Sequence, residues 1–254
     1  MAKLSVERLS LTFGGLDALS EISLEIEDGA LYAVIGPNGA GKTSFFNCVT
    51  GYYRPSRGWI RLNGRDITGA SAPEVAALGI RRTFQNVRIF PRLTALENVL
   101  AGAHLRSVAN LFSVLLGSPA MRRQERVLAT EAEKWLEFVG LGSIAKVLAS
   151  DLPYGMRKRL EIARALIARP QMLLLDEPAA GVSSVERADL SQVIRRSWES
   201  GITVVMIEHD VELVMQLATR VAVLDHGRLL VEGTPEAVRS DSKVVEAYLG
   251  RRQR

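Results

Sequence analysis

The chain has 254 residues, of which 47% are apolar and 24% charged, proportions that exclude a disordered or fibrous protein. A formal net charge of +4 is too small to mark a nucleic-acid binder, and a single cysteine, Cys48, excludes an intramolecular disulfide and a cysteine-built zinc site. No apolar run approaches the ~18 residues of a membrane-spanning helix. The opening residues lack the apolar core of a secretory signal, so the expectation is a soluble globular protein of a reducing compartment.

In chain order, Val6, Leu9, Leu11 and Phe13 alternate with polar residues, and Leu24-Glu25-Ile26-Glu27 alternates again. With turns at Gly14-Gly15 and Asp28-Gly29, this predicts an antiparallel β opening. Leu31-Tyr32-Ala33-Val34-Ile35 is apolar without a break, the pattern of a strand covered on both faces. Asp66-Ile67-Thr68-Gly69 reads as a loop ending in the cap before Pro73. From about 94 to 168 no strand pattern occurs, and helix-period segments such as 130–139 fill the stretch. Residues 110–116 are apolar and, flanked by Gly117-Ser118-Pro119, read as a helix-hairpin turn. Pro170 closes a helix, and buried strands follow at 172–175, 202–207 and 220–224. Strands separated by helical patterns predict an α/β core with a largely parallel sheet, here interrupted by a helical insertion. No repeat or Gly/Ser linker separates independent domains.

Gly36-Pro37-Asn38-Gly39-Ala40-Gly41-Lys42-Thr43, with Ser44 next, fits G-x-x-x-x-G-K-[ST] between a buried strand and a helix pattern. Glycines let successive backbone N–H groups curl around phosphate oxygens, and the helix that follows aims its positive end at them. Lys42 is expected to reach the β- and γ-phosphates and Thr43 to ligate Mg²⁺. A base-reading N-K-x-D is missing, which argues against a GTPase. Leu173-Leu174-Leu175-Asp176-Glu177-Pro178 puts two acids at the end of a buried strand. Asp176 suits the Mg²⁺ shell, and the adjacent Glu177 suits a general base for the attacking water.

The ordered landmarks are the loop from Gly36, Gln85 in Arg82-Thr83-Phe84-Gln85-Asn86, Leu152-Pro153-Tyr154-Gly155-Met156 opening a helix, Asp176-Glu177-Pro178, and His209 in Ile207-Glu208-His209-Asp210. In this order the sequence resembles the ATP-binding subunits of ABC transporters over nearly its whole length. Within that family it is most similar to the ATPases of branched-chain amino-acid importers, the subunit type with the longer helical insertion. Phe45-Phe46-Asn47-Cys48-Val49-Thr50-Gly51, Arg88-Ile89-Phe90, Ala179-Ala180-Gly181 and Ala247-Tyr248-Leu249-Gly250 carry the narrower likeness.

The resemblance implies a single ABC ATPase domain over 1–254. Its P-loop NTPase core is formed by 1–86 and 168–254 with an N-terminal antiparallel β subdomain, and a helical subdomain is inserted at 87–167. It implies ATP and Mg²⁺ as cofactors, with Phe13 stacking on adenine. Gln85 is expected to touch Mg²⁺ or the lytic water, and His209 to bond the γ-phosphate. It also implies a head-to-tail dimer with a second ATP-binding subunit, in which Tyr154 and Gly155 of the signature segment face the partner's nucleotide. Two transmembrane permease subunits and, indirectly, a substrate-binding protein complete the assembly at the cytoplasmic face of the membrane, with no nucleic acid involved.

Two departures touch the surface shared between chains. The usual Leu-Ser-Gly-Gly-Gln signature reads Leu152-Pro153-Tyr154-Gly155-Met156, so Pro153 replaces the serine hydroxyl. Ser183 stands where an aspartate is frequent. Arg157, Lys158 and Arg159 are read as local positive potential. Val87, Ile89, Phe90, Leu93 and Leu96 are expected to divide between permease docking and internal packing. A soluble ABC ATPase acting on ribosomes or nucleic acid is the alternative, disfavoured by one phosphate loop and no sustained heptads. A non-hydrolysing adaptor is disfavoured by Glu177 and His209.

Overall fold

Residues 3–103 and 119–249 are described by the structure, a computed structural model of the chain. The apolar segment 110–116, Gly250 and the tail 251–254 lie outside the described residues. Two compact units divide the chain. One comprises Met1–Arg82, Gln171–Ala179 and Ile194–Arg254, the other Thr83–Pro170 and Ala180–Val193.

The first unit holds two sheets. Strands β1 (Leu4–Phe13) and β2 (Leu16–Ile26) form the expected antiparallel hairpin around Gly14-Gly15. With β4 (Arg57–Leu62) and β5 (Arg65–Asp66) they make a four-stranded sheet in the order β2-β1-β4-β5. Bulges between Val6 and Leu9 and between Leu9 and Leu11 keep Leu4, Val6, Leu9 and Leu11 buried although their spacing is not a strict alternation. The second sheet contains β3 (Leu31–Ile35), β6 (Ile80–Arg82), β7 (Met172–Asp176), β8 (Thr203–Ile207), β9 (Arg220–Asp225) and β10 (Arg228–Gly233). Its order is β10-β9-β3-β8-β7-β6, parallel throughout except for the β9–β10 hairpin. All five residues of β3, β7 and β8 are buried, which is why their sequences are apolar apart from Asp176 at the end of β7 and Thr203 at the start of β8. Helix α1 (Lys42–Val49) packs Phe45 and Phe46 into the core that joins both sheets. Each such fully buried side chain contributes about 1.5–3 kcal/mol. Helix α2 (Ala72–Ala77) starts as the sequence suggests, with Ser71 and Glu74 in a capping box and Pro73 in the first turn.

The second unit is helical, with α3 (Ala95–Ala101), α4 (Pro119–Phe138), α5 (Tyr154–Leu166) and the first part of α6 (Ser184–Glu199). Ala132, Leu136 and Val139 recur at helical spacing and are buried, as are Val99, Leu160 and Leu166. Thr94 and Glu97 cap α3 reciprocally, and a single antiparallel bridge joins Thr94 to Leu148. Asn98, fully buried, accepts from Phe90 N and donates to the carbonyls of Phe90, Leu93 and Thr94, fixing the loop between Gln85 and α3. The first unit is completed by α7 (Val211–Leu217), α8 (Pro235–Ser240) and α9 (Ser242–Leu249).

Candidate functional site

Three neighbouring strands of the parallel sheet deliver the chemistry of the first unit. Val34 of β3 pairs with Ile207 of β8, and Ile207 pairs with Asp176 of β7. Their C-terminal ends therefore lie in one row, so Gly36, Glu208-His209 and Glu177 leave the sheet side by side. Loops outside the carboxyl ends of parallel strands are where such sheets bind ligands.

The phosphate loop needs its glycines for space as well as conformation. Gly36 has φ +149°, and a Cβ there would run into the Leu224 carbonyl; Gly41 has φ +99° and lies against the Ala18 carbonyl, 2.7 Å from where its Cβ would sit. Lys42 opens α1 and is buried, its ammonium donating to the carbonyls of Gly36 at 2.7 Å and Pro37 at 3.0 Å. Thr43 and Asn38 are exposed, while Ala40 is buried. The loop from Asn38 to Ser44 lines a cleft of about 550 Å³ together with Leu16, Asp17, Ala18, Glu177, His209 and His226. Phe13 stands at the adjoining hairpin, 45% exposed and edge-on to Tyr53 at 5.2 Å between ring centres. His226 was not singled out from sequence; it sits at the β9–β10 turn with φ +45° and faces the same cleft.

Glu177 and His209 meet in that cleft, with Oε1 of the acid 2.6 Å from Nε2 of the imidazole. Glu177 has φ +47°, a left-handed backbone uncommon for a side-chain residue, and its N–H is held by the Ile207 carbonyl at 2.9 Å. His209 does not cap the helix that follows it; Asp210 does, its Oδ1 accepting from Leu213 N at 3.1 Å. The buried Glu208 accepts from Ala179 N at 2.7 Å and His209 N at 3.0 Å. Burial pushes its carboxyl pKa up, opposed by those N–H groups. Asp176 forms a buried ion pair with Arg82 at 2.7 Å, and Arg82 also donates to Asn47 Oδ1 and Thr50 Oγ1 on and beside α1.

In the second unit, Gln85 is exposed at its side chain, and its backbone carbonyl accepts from Lys158 Nζ at 2.7 Å. Glu161, one turn further along α5, accepts from the N–H groups of Arg88 at 3.2 Å and Phe84 at 3.4 Å. The signature helix thus clamps both sides of Gln85. Pro153 is the N-cap of α5, and Tyr154 and Gly155 form its first turn, as expected. The basic triplet behind them is not free potential. Lys158 and Arg159 are buried, Arg159 bonding the Val139 carbonyl and Asp189, while Arg157 donates to the carbonyls of Leu152 and Ser150. Buried cations need such partners, so the helix turns this charge inward. Ser183 takes a local role, accepting from Glu186 N at 3.3 Å at the start of α6. None of Val87, Ile89, Phe90, Leu93 and Leu96 is fully buried, and Phe90 is 50% exposed beneath the Arg164 guanidinium.

A sequence profile described as ABC transporter matches residues 19–180, from the second strand through the acids after β7. The chain belongs to the ABC transporter family. A second profile, Branched-chain amino acid ATP-binding cassette transporter, matches residues 228–253 of this ABC protein. It is 45% identical to the High-affinity branched-chain amino acid transport ATP-binding protein BraF of Pseudomonas aeruginosa, covering 97% of both chains. It is 43% identical to the LivG protein of the same description from Salmonella typhimurium, again over 97% of each. Among solved structures, the ADP conformation of an ATP-binding cassette of an ABC transporter superposes with TM-score 0.85 at 32% identity, covering 98% of this chain and 99% of that one. The expected α/β fold of an ABC ATPase is therefore correct, and the chain is an ATPase of this family that binds ATP. Among the described residues of this ABC ATPase no helix is long and apolar enough to cross a membrane.

Proposed function

We propose that this ABC ATPase binds ATP with Mg²⁺ at the phosphate loop and drives uptake of branched-chain or related amino acids. The placement of Glu177 against His209 in the phosphate-loop cleft is the observation that carries the catalytic part. The loop amides from Asn38 to Ser44 and Lys42 cradle the phosphates, and Phe13 offers a π-face to adenine. Thr43 and Asp176 offer a hydroxyl and a carboxylate, hard oxygen donors of the kind Mg²⁺ takes. Bound Mg²⁺ would neutralise charge developing on the phosphates. Glu177 accepts the proton of the attacking water, His209 steadies the γ-phosphate and the carboxylate, and Gln85 relays nucleotide state into the helical insertion.

The transporter assembly rests on the relatives' names and on the loop chemistry. The half-open apolar residues from Val87 to Leu96 supply a contact for a short cytoplasmic helix of a transmembrane permease subunit. A second ATP-binding subunit, packed head to tail, brings its phosphate loop against Tyr154 and Gly155. A substrate-binding protein selects the solute outside, and this subunit works at the cytoplasmic face. Leucine, isoleucine and valine should each stimulate ATP hydrolysis by the complete transporter in lipid vesicles with its binding protein. Copurification with ribosomes or nucleic acid, without permease subunits, would contradict this reading.

A further inference from the structure

We infer that Glu208 is a positioning residue for hydrolysis, its buried carboxylate tying the loop that carries Glu177 to the loop that carries His209. The inference rests on the reading of Glu177 and His209 as the hydrolytic pair.

The two loops leave neighbouring strands, and nothing in strand pairing alone makes their side chains meet. Glu208 is 2% exposed. One carboxylate oxygen, Oε1, accepts from Ala179 N at 2.7 Å, two residues beyond Glu177. The other, Oε2, accepts from His209 N at 3.0 Å and from Asp210 N at 3.4 Å. The same side chain therefore bonds the backbone on the far side of Glu177 and the backbone of His209 itself. Between them stands the strained left-handed Glu177, anchored on its near side by the Ile207 carbonyl. Pro178 has no N–H, so Ala179 is the first amide after Glu177 that such an anchor can reach. With both loops held, Glu177 Oε1 and His209 Nε2 stand 2.6 Å apart.

Only a carboxylate satisfies this geometry. Its two oxygens accept from donors on opposite sides, whereas a glutamine must turn its NH₂ toward one of them. Aspartate is shorter by one carbon–carbon bond, about 1.5 Å, and loses one of the two loops. At this burial, water has no access to replace a lost acceptor. Helix capping does not explain Glu208, because Asp210 already serves α7.

The test uses the full chain, measuring steady-state ATP hydrolysis, binding of a fluorescent ATP analogue and the thermal midpoint. Glu208→Gln and Glu208→Asp should each lower kcat about 10- to 100-fold with KM for ATP changed less than about twofold, as for a displaced reacting group. In a His209→Ala background, Glu208→Gln should cost no more than a further factor of about two, because residues acting as one unit are non-additive. A kcat within about twofold of wild type for both variants overturns the inference. So does a full additional loss on top of His209→Ala, the mark of a merely structural role. If Glu208→Gln fails to fold, the same readings on Glu208→Asp decide. Glu177→Gln is the separate control: normal turnover there would sink the assignment of the base, whereas a silent Glu208 beside an inactive Glu177→Gln sinks the positioning role alone.

Discussion

Replacing Arg82 with methionine tests how the core holds the buried Asp176. The Arg82 guanidinium lies 2.7 Å from Asp176 Oδ2, and the two side chains are 6% and 5% exposed. Methionine keeps the aliphatic bulk near Phe46 but takes the guanidinium partner from a buried carboxylate. Breaking a buried pair from one side costs about 3–5 kcal/mol, because the remaining charge stays desolvated. The bonds to Asn47 and Thr50, at 2.7 and 3.0 Å, are lost with it and place the upper end of that range within reach. At about 2–4 °C per kcal/mol for a chain of this size, the thermal midpoint of Arg82→Met should fall by about 6–20 °C. Adding Asp176→Leu removes the stranded charge and should recover more than half of the loss, since apolar replacement of a buried pair is often neutral or better. Circular dichroism melts of wild type, the single variant and the double variant provide the comparison. A single variant melting within about 2 °C of wild type, or a double variant no better than the single, would show that the Arg82–Asp176 pair does not hold the core in this way.

Burial pushes the Cys48 thiol up to about 12, so the native chain at pH 8 should resist a maleimide that labels it quantitatively once unfolded; rapid native labelling would contradict the packing of α1. Glu208 carries a raised carboxyl pKa, so between its unfolded and folded values the native state binds more protons and stability falls as pH rises. Wild type should therefore gain stability relative to Glu208→Gln as pH drops toward the ordinary carboxylate range, a trend chemical denaturation at each pH would show reversed if the sign were wrong. Restoring the signature hydroxyl with Pro153→Ser should raise ATPase of the assembled transporter. One charge-assisted hydrogen bond of about 1.5 kcal/mol sets a ceiling near tenfold. An unchanged or lower rate would show that the N-terminus of α5 already serves the site fully.

Much of the fold was legible because its signals are local. The apolar runs 31–35, 172–175 and 204–207 lie in strands covered on both faces, and the glycines of the phosphate loop follow directly on one of them. Ser71 caps a helix just before Pro73, where the sequence places a cap. What sequence did not reveal are buried charges whose partners are remote. Arg82 meets Asp176 across 94 positions, Glu161 meets Arg88 across 73, and Glu208 meets Ala179 across 29. Each stood beside a recognisable motif, yet no periodicity distinguishes an inward carboxylate from a solvated one. Lys158 and Arg159 show the same limit in reverse, reading as surface potential while the packing of α5 draws them inside. The segment Ala180–Val193 belongs to the helical unit for a comparable reason, since Gly181 lies against Tyr154 and Glu186 against Gly155.

Glu177-dependent ATP hydrolysis by this chain is proposed to power solute import. The direct measurement is ATP-driven accumulation of radiolabelled leucine in vesicles containing the complete transporter, with wild-type chain and with Glu177→Gln. Wild type should accumulate leucine, whereas Glu177→Gln should retain ATP binding but show turnover and uptake lowered at least about 10²-fold, the lower end expected on losing a general base. Leucine uptake that persists with Glu177→Gln, or a wild-type ATPase that hydrolyses ATP with no solute movement, would contradict it.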